Sequence, residues 1–253
     1  EKAITADRTR GRVEAVLDWA TVRGYRTGDN PARWKGHLDQ VLPSPRKIAP
    51  VAHHAAMAYP EVPAFMVALR ADTSVAARAL EFLILTAART GEVRAATWDE
   101  IDLDSATWTI PAAKMKNARE HRVALSPPAV DLLRALPREN RNPFVFIGPF
   151  AGRGLSKMAM PYVLERLERR DVTIHGFRSA FSDWAHESTA HSNHTIEISL
   201  AHAVGSEVER AYRRGPMLAK RIKLMADWAK YCAAPAKVAK RGGNVVAISG
   251  GRR

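Results

Sequence analysis

One cysteine in 253 residues, Cys232, is too few for an intrachain disulfide or a multi-cysteine zinc site, and it fits a reducing compartment. No stretch approaches the roughly 20 apolar residues that span a bilayer. The chain opens in polar, helix-like sequence without the pattern of a signal peptide. The expected location is the cytoplasm, with no membrane partner. Signatures for phosphate-binding glycine loops are absent. His186-Glu187 with His191 and His194 does not make a His-Glu-x-x-His spacing or another three-ligand set. No cofactor and no metal are expected. Because the first residue is Glu1 and not methionine, an N-terminal domain ahead of it is expected.

Acidic residues are also scarce. Against 26 Asp and Glu stand 39 Lys and Arg, giving a formal charge of +13 spread along the chain. A polyanion is the natural partner of such a surface, although solubility alone also accounts for charge of this kind. Apolar residues make up 46% of the chain, enough to bury a core in one large or two modest domains.

Helical spacing of Val13, Val16, Leu17 and Ala20 predicts a helix over Arg8–Arg23, stopped by Gly24. Asn30-Pro31 makes a turn. Pro43, Pro45 and Pro50, with Arg46 and Lys47 between them, predict a stiff non-helical linker over 43–50. The pattern then predicts helices over Val51–Tyr59 and Val75–Ala88. Period-two strands follow at Ile101–Leu103, Trp108–Ile110 and His121–Leu125. Further helices are expected at Pro127–Leu136, Ser156–Arg169, Phe177–His186, Ile196–Ala201, Glu207–Arg214 and Met217–Cys232. Phe144–Ile147 reads as a short strand. The predicted class is mainly α with a small antiparallel sheet, and the basic tail 233–253 is expected to be disordered.

Breaking a phosphodiester with a side chain requires a nucleophile, cations on the non-bridging oxygens and an acid for the leaving oxygen. Arginine suits the second task through its planar fork of donors. Four stretches carry such groups: Thr86-Ala-Ala-Arg89-Thr-Gly-Glu92, Lys114-Met-Lys116, His175-Gly-Phe-Arg178, and Leu200-Ala-His202 with Tyr212 ten residues later. Taken singly, each has a duller reading, as a helix-end ion pair, a solvated turn lysine or a capping histidine. His175 and Arg178 would share one helical face beside free backbone amides that favour an anion.

The order and spacing of these stretches resemble the tyrosine recombinase family. Trp19-Ala20, Asn30-Pro31-Ala32-Trp34, Ala211-Tyr212-Arg213-Arg214 and Met225 to Tyr231 resemble its prophage integrase branch, so the likeness runs from about Arg8 to Tyr231. The resemblance implies a site-specific DNA recombinase that needs neither metal nor ATP. Tyr212 would attack the scissile phosphate to form a 3′-phosphotyrosyl link, Arg89, His175, Arg178 and His202 would hold the phosphate, and Lys116 would protonate the leaving 5′ oxygen. Lys114 competes with Lys116 for that last role. Glu92 would support Arg89, while Lys47, Lys114, Arg213 and Arg214 would touch DNA. Tyr25, Tyr59, Tyr162 and Tyr231 read as packing residues.

The resemblance further implies the C-terminal part of a helical core-binding domain over 1–42 and a catalytic domain over 51–232. The implied partners are double-stranded attachment sites, a homotetramer on DNA and DNA-bending accessory proteins, at the bacterial nucleoid. Two other functions fit the same residues less fully: relaxation of supercoils by a type IB topoisomerase, and a DNA-binding module without catalysis.

Overall fold

A computed structural model describes residues 2–48, 55–202 and 217–235. The chain divides into two compact units, Glu1–His53 and His54–Arg253. The first is built on α1 (Lys2–Val22) and a single helical turn, α2 (Pro45–Ile48). Gly24, at φ 75°, ends α1 in the left-handed conformation that glycine adopts without strain.

Asn30 organises the turn that folds back on α1. Its side-chain amide donates to the Glu14 carbonyl (2.8 Å) and to Asp18 (2.7 Å), and its oxygen accepts from the Ala32 amide (2.9 Å). Arg10 donates to the Ala32 carbonyl and lies over the Trp34 ring. The polar face of α1 therefore makes these contacts, and Val13, Val16 and Trp19 stay exposed.

The second unit surrounds α4 (Val75–Thr86), whose residues are buried on nearly every side. A helix apolar all round must sit inside others, and α4 contacts α3 (Val62–Ala71), α5 (Thr90–Arg94), α6 (Pro127–Ala135), α7 (Ala159–Arg166), α8 (Gly176–Ser188) and α10 (Leu218–Cys232). Glu81 is its one buried acid, held by Arg70 and Arg78 at 2.6 and 2.8 Å. Ser74 caps the start of α4. At its end Ala87 turns left-handed, at φ 50°.

A three-stranded antiparallel sheet, β1 (Ile101–Asp102), β2 (Thr107–Ile110) and β3 (His121–Ala124), packs against this core in sequence order. Alternation puts Trp108 and Ile110 inward, opposite Val123 and His121. Trp108 meets Phe82 at 5.4 Å between ring centroids, and Phe82 meets Phe146 at the same distance. On the other side of α4, Trp228 of α10 stacks on Tyr231 and packs against Phe181 and Trp184.

Three expectations change. The Ala-rich stretch predicted as a helix over Val51–Tyr59 is not helical where it is described: Ala55–Ala58 has no regular structure, and a 3-10 turn occupies Tyr59–Glu61. Tertiary pairing overrides propensity here, because the Ala55 carbonyl accepts from the Thr173 amide and hydroxyl. The helix comes later, as α3, with Pro63 in its first turn, where a missing N–H is harmless. The proline-rich 43–50 stretch contains α2, again with proline at the first position and the Ser44 carbonyl accepting from Lys47. Phe144–Ile147 makes only isolated bridges, Thr97 to Phe144 and Ile147 to Gly154. The predicted helix Glu207–Arg214 and most of the tail lie outside the described residues.

Trp228 joins α10 to α4, since its indole N–H donates to the Ile84 carbonyl at 2.7 Å and its ring is fully buried. Trp228→Ala removes that bond and opens a cavity, and should lower the unfolding free energy by about 3–5 kcal/mol. Urea denaturation reads this as a lower midpoint at unchanged slope. An unchanged midpoint would mean that α10 contributes little to this core.

Candidate functional site

Arg89 stands at the N-cap of α5 with extended backbone, φ −81° and ψ 148°, two residues beyond the left-handed Ala87. That reversal brings its side chain out from the end of the buried helix. Glu92, itself buried, holds it twice: one carboxylate oxygen accepts the Arg89 backbone N–H at 2.8 Å and the other accepts Nη1 at 2.7 Å. The second guanidinium nitrogen donates to the Leu200 carbonyl at 3.4 Å.

Arg178, in the first turn of α8, reaches that same carbonyl. Its Nη2 donates to Leu200 O at 2.7 Å and lies 3.4 Å from Nε2 of His202, while Nη1 donates to the Ala87 carbonyl. Only 5% of Arg178 is exposed. Burial and the neighbouring Arg89 push its guanidinium down to about 10, and Glu92 and Glu197 partly oppose this. It remains charged at neutral pH.

His202 follows α9 (Asn193–Ser199) and Ala201, which is left-handed at φ 52°. Its Nδ1 lies 2.8 Å from a Glu197 carboxylate oxygen. A carboxylate can only accept, so Nδ1 carries the proton given to Glu197, and Nε2 faces the Arg178 fork. Arg89, Glu92, Arg178 and His202 are thus assembled around one backbone carbonyl from three separate stretches of sequence.

His175 occupies the exposed N-cap of α8. The amides expected to be free for an anion there are partly taken, since Gly176 N donates to the Thr173 carbonyl and hydroxyl and Arg178 N donates to the His175 carbonyl. Gly176 is fixed by space: a Cβ at this position would lie 2.4 Å from the Ala55 carbonyl oxygen and 2.7 Å from the Ala56 Cα.

The two lysines of the β2–β3 connection have separate fates. Lys114 is drawn back to the body, donating to the Ala95 carbonyl (2.7 Å) and to Thr97 and pairing with buried Glu100. Met115 is buried. Lys116 is exposed and has no partner among the described residues. Lys47, on α2, is exposed in the other unit. Tyr212, Arg213 and Arg214 lie outside the described residues. Of the remaining tyrosines, Tyr231 donates to the Tyr59 carbonyl at 3.2 Å, Tyr25 packs on Trp19, and Tyr162 is half exposed on α7.

Three polar residues at or near this site escaped the sequence reading. Glu197 partners His202. His121, at the start of β3, lines a cavity of about 340 Å³ with Asn117, Arg119, Ala201 and His202. Arg221 is buried on α10 and sits at the helical spacing of the apolar residues Leu218, Leu224, Met225 and Trp228. A cation in that stripe is the one signal that could have marked it. Among the described residues no group of His, Cys, Asp and Glu is placed to hold a metal ion, and no helix is long and apolar enough to cross a membrane.

The fold is that of integrases of known structure. An integrase from mycobacterium phage Brujita aligns with a TM-score of 0.52 at 18% identity, covering 88% of this chain and 71% of its own. The lambda integrase, crystallised as a dimer bound to a COC′ core site, aligns with a TM-score of 0.57 at 15% identity, covering 85% and 60%. The profile of the phage integrase family matches residues 56–217, and that of the phage integrase central domain matches residues 1–37. Prophage integrase IntZ of Escherichia coli (strain K12) is 37% identical over 88% of this chain, and the integrase of Enterobacteria phage P4 is 28% identical over 89%. The chain belongs to the phage integrase family, the tyrosine recombinases. It spans about half, 54%, of the length of each of those two relatives.

Two outcomes follow. Gly176→Ala forces the start of α8 away from Ala55, and should cost about 1–3 kcal/mol of stability as an overpacked contact; a melting temperature equal to that of the unaltered protein would refute the close approach. The second concerns His121, which burial and then Arg221, Arg89 and Arg178 hold at about 3. The unfolded chain, with an ordinary imidazole near 6.5, holds the proton between these values and the folded chain does not. Stability should therefore fall as pH drops below about 6.5, by up to about 1.4 kcal/mol per pH unit from this group. Above that pH the group has no effect. His121→Gln should flatten the fall between about pH 6.5 and 5 in urea titrations; equal slopes would contradict it.

Proposed function

We propose that this chain is the catalytic portion of a site-specific DNA recombinase that breaks and rejoins strands through a 3′-phosphotyrosyl intermediate, integrating or excising a mobile element. The observation that carries the reading is the convergence of Arg89 and Arg178 on the Leu200 carbonyl beside His202. Two guanidiniums and an imidazole fixed in this way are preorganised to receive the non-bridging oxygens of a phosphate as charge grows on them.

In this reading Tyr212 passes its phenolic proton to His175 as its Oη attacks phosphorus, Arg89 and Arg178 hold the non-bridging oxygens, and His202 adds a hydrogen bond. The bond from phosphorus to the 5′ oxygen breaks, and Lys116 supplies the proton to that oxygen. Lys116 is preferred to Lys114 because Lys114 is already bound to Glu100, Ala95 and Thr97, whereas Lys116 extends from an anchored loop. Attack by a 5′ hydroxyl on the phosphotyrosyl link reverses the chemistry and rejoins DNA without an external energy source.

Residues 1–42 would be the end of a core-binding domain, 43–50 a linker and 51–232 the catalytic domain. The proposed partners are duplex attachment sites, three further protomers and accessory bending proteins, within the bacterial cytoplasm. Lys47, Arg213 and Arg214 would contact the DNA backbone.

The test uses the full-length protein and nicked duplexes tiled across DNA adjoining its gene. A covalent adduct stable to denaturant should form with the unaltered protein and be absent from Tyr212→Phe. An adduct that persists in Tyr212→Phe would place the nucleophile elsewhere.

A further inference from the structure

Behind the two arginines, His121 is positioned by one neighbour and itself positions another. It begins β3, opposite Ile110, and lines the cavity it shares with His202 and Ala201. Its ring hydrogen-bonds the backbone of Ser199, the residue before the shared Leu200 carbonyl. The next strand residue, Arg122, gives its carbonyl to Nη2 of Arg221. Arg221 is only 3% exposed, its Nε has no acceptor among the described residues, and no described carboxylate pairs with it. Burying a guanidinium is costly, and the bond to the Arg122 carbonyl is the return that an apolar residue at that point on α10 would not give.

We propose that His121 and Arg221 are positioning residues for strand cleavage: Arg221 ties the start of β3 to α10, and His121 holds the Ser199–His202 turn so that the Leu200 carbonyl meets both arginines. The inference rests on the reading of Arg89, Arg178 and His202 as the phosphate pocket. The chemistry of the imidazole suits the task. Burial and three nearby arginines keep it neutral, so it carries one N–H, and that proton is committed to the Ser199 carbonyl. A charged ring would instead add a further cation beside Arg221, Arg89 and Arg178. Because Ala201 is left-handed, the turn does not hold its shape by intrinsic preference, and a hydrogen bond one residue before Leu200 bears directly on where its carbonyl points.

The full-length protein and the nicked duplexes already described supply the assay, read as the single-turnover rate of adduct formation alongside duplex affinity and the urea midpoint. Arg178→Ala is the control for the site: loss of adduct confirms the pocket, and an adduct at the unaltered rate overturns both the pocket and this inference. His121→Leu, which keeps bulk and removes the donor, should slow cleavage by about 10-fold to 100-fold with affinity changed less than about twofold. His121→Gln, which restores an N–H, should recover most of the rate, and Arg221→Met should resemble His121→Leu while Arg221→Lys recovers in part. Cleavage by His121→Leu at the unaltered rate overturns this inference alone, as does His121→Gln doing no better than His121→Leu. Should His121→Leu not fold, Arg221→Met and Arg221→Lys decide it by the same comparison, equal rates in both and in the unaltered protein counting against it.

Discussion

A single peptide carbonyl, that of Leu200, accepts hydrogen bonds from two guanidinium groups, and the geometry around it explains much of the second unit. Arg89 arrives from the end of the central helix α4, Arg178 from the first turn of α8, and the carbonyl itself from the turn after α9. The two donors and their acceptor thus come from three different elements. The hydrophobic packing of α4 against its neighbours is therefore also the means by which two distant arginines are set side by side.

Charge runs against this arrangement. Arg89 and Arg178 act on each other, both act with Arg221 on His121, and among the described residues the nearby acids Glu92 and Glu197 are already engaged with Arg89 and His202. Burial first, and then the repulsion of neighbouring arginines, depresses both Arg178 and His121. A phosphate anion in the proposed pocket would relieve that repulsion. Donors held in place beforehand need no reorganisation when charge develops, which is the most effective form of electrostatic catalysis.

How much of this was legible beforehand depended on whether a residue's environment is local. Arg89 and Glu92 are three apart and lock to each other within one turn, so their pairing was visible as spacing. The strands showed in the alternation of Trp108, Ile110 and Val123, which the sheet reproduces. Non-local contacts were silent. Nothing near Ala55 announces that its carbonyl will be claimed by Thr173, so an alanine-rich stretch with good helical propensity was misread and α3 was missed. Lys114 and Lys116 look alike in sequence, and only the fold shows that Glu100 claims the first. His121 read as one more strand residue, and Arg221 as one more basic residue on an amphipathic helix, because the arginines and backbone they face come from far along the chain.

The left-handed turns at Ala87 and Ala201 are both tied to the site through Arg178. Glycine would adopt either turn freely, whereas alanine there costs roughly 1–2 kcal/mol, so each turn relaxes to another shape once its surroundings let go. Ala87 offers the carbonyl that Arg178 grips, and Ala201 connects the shared carbonyl to His202. One arginine therefore grips the backbone at both strained turns, so a change that loosens either is felt at the same side chain.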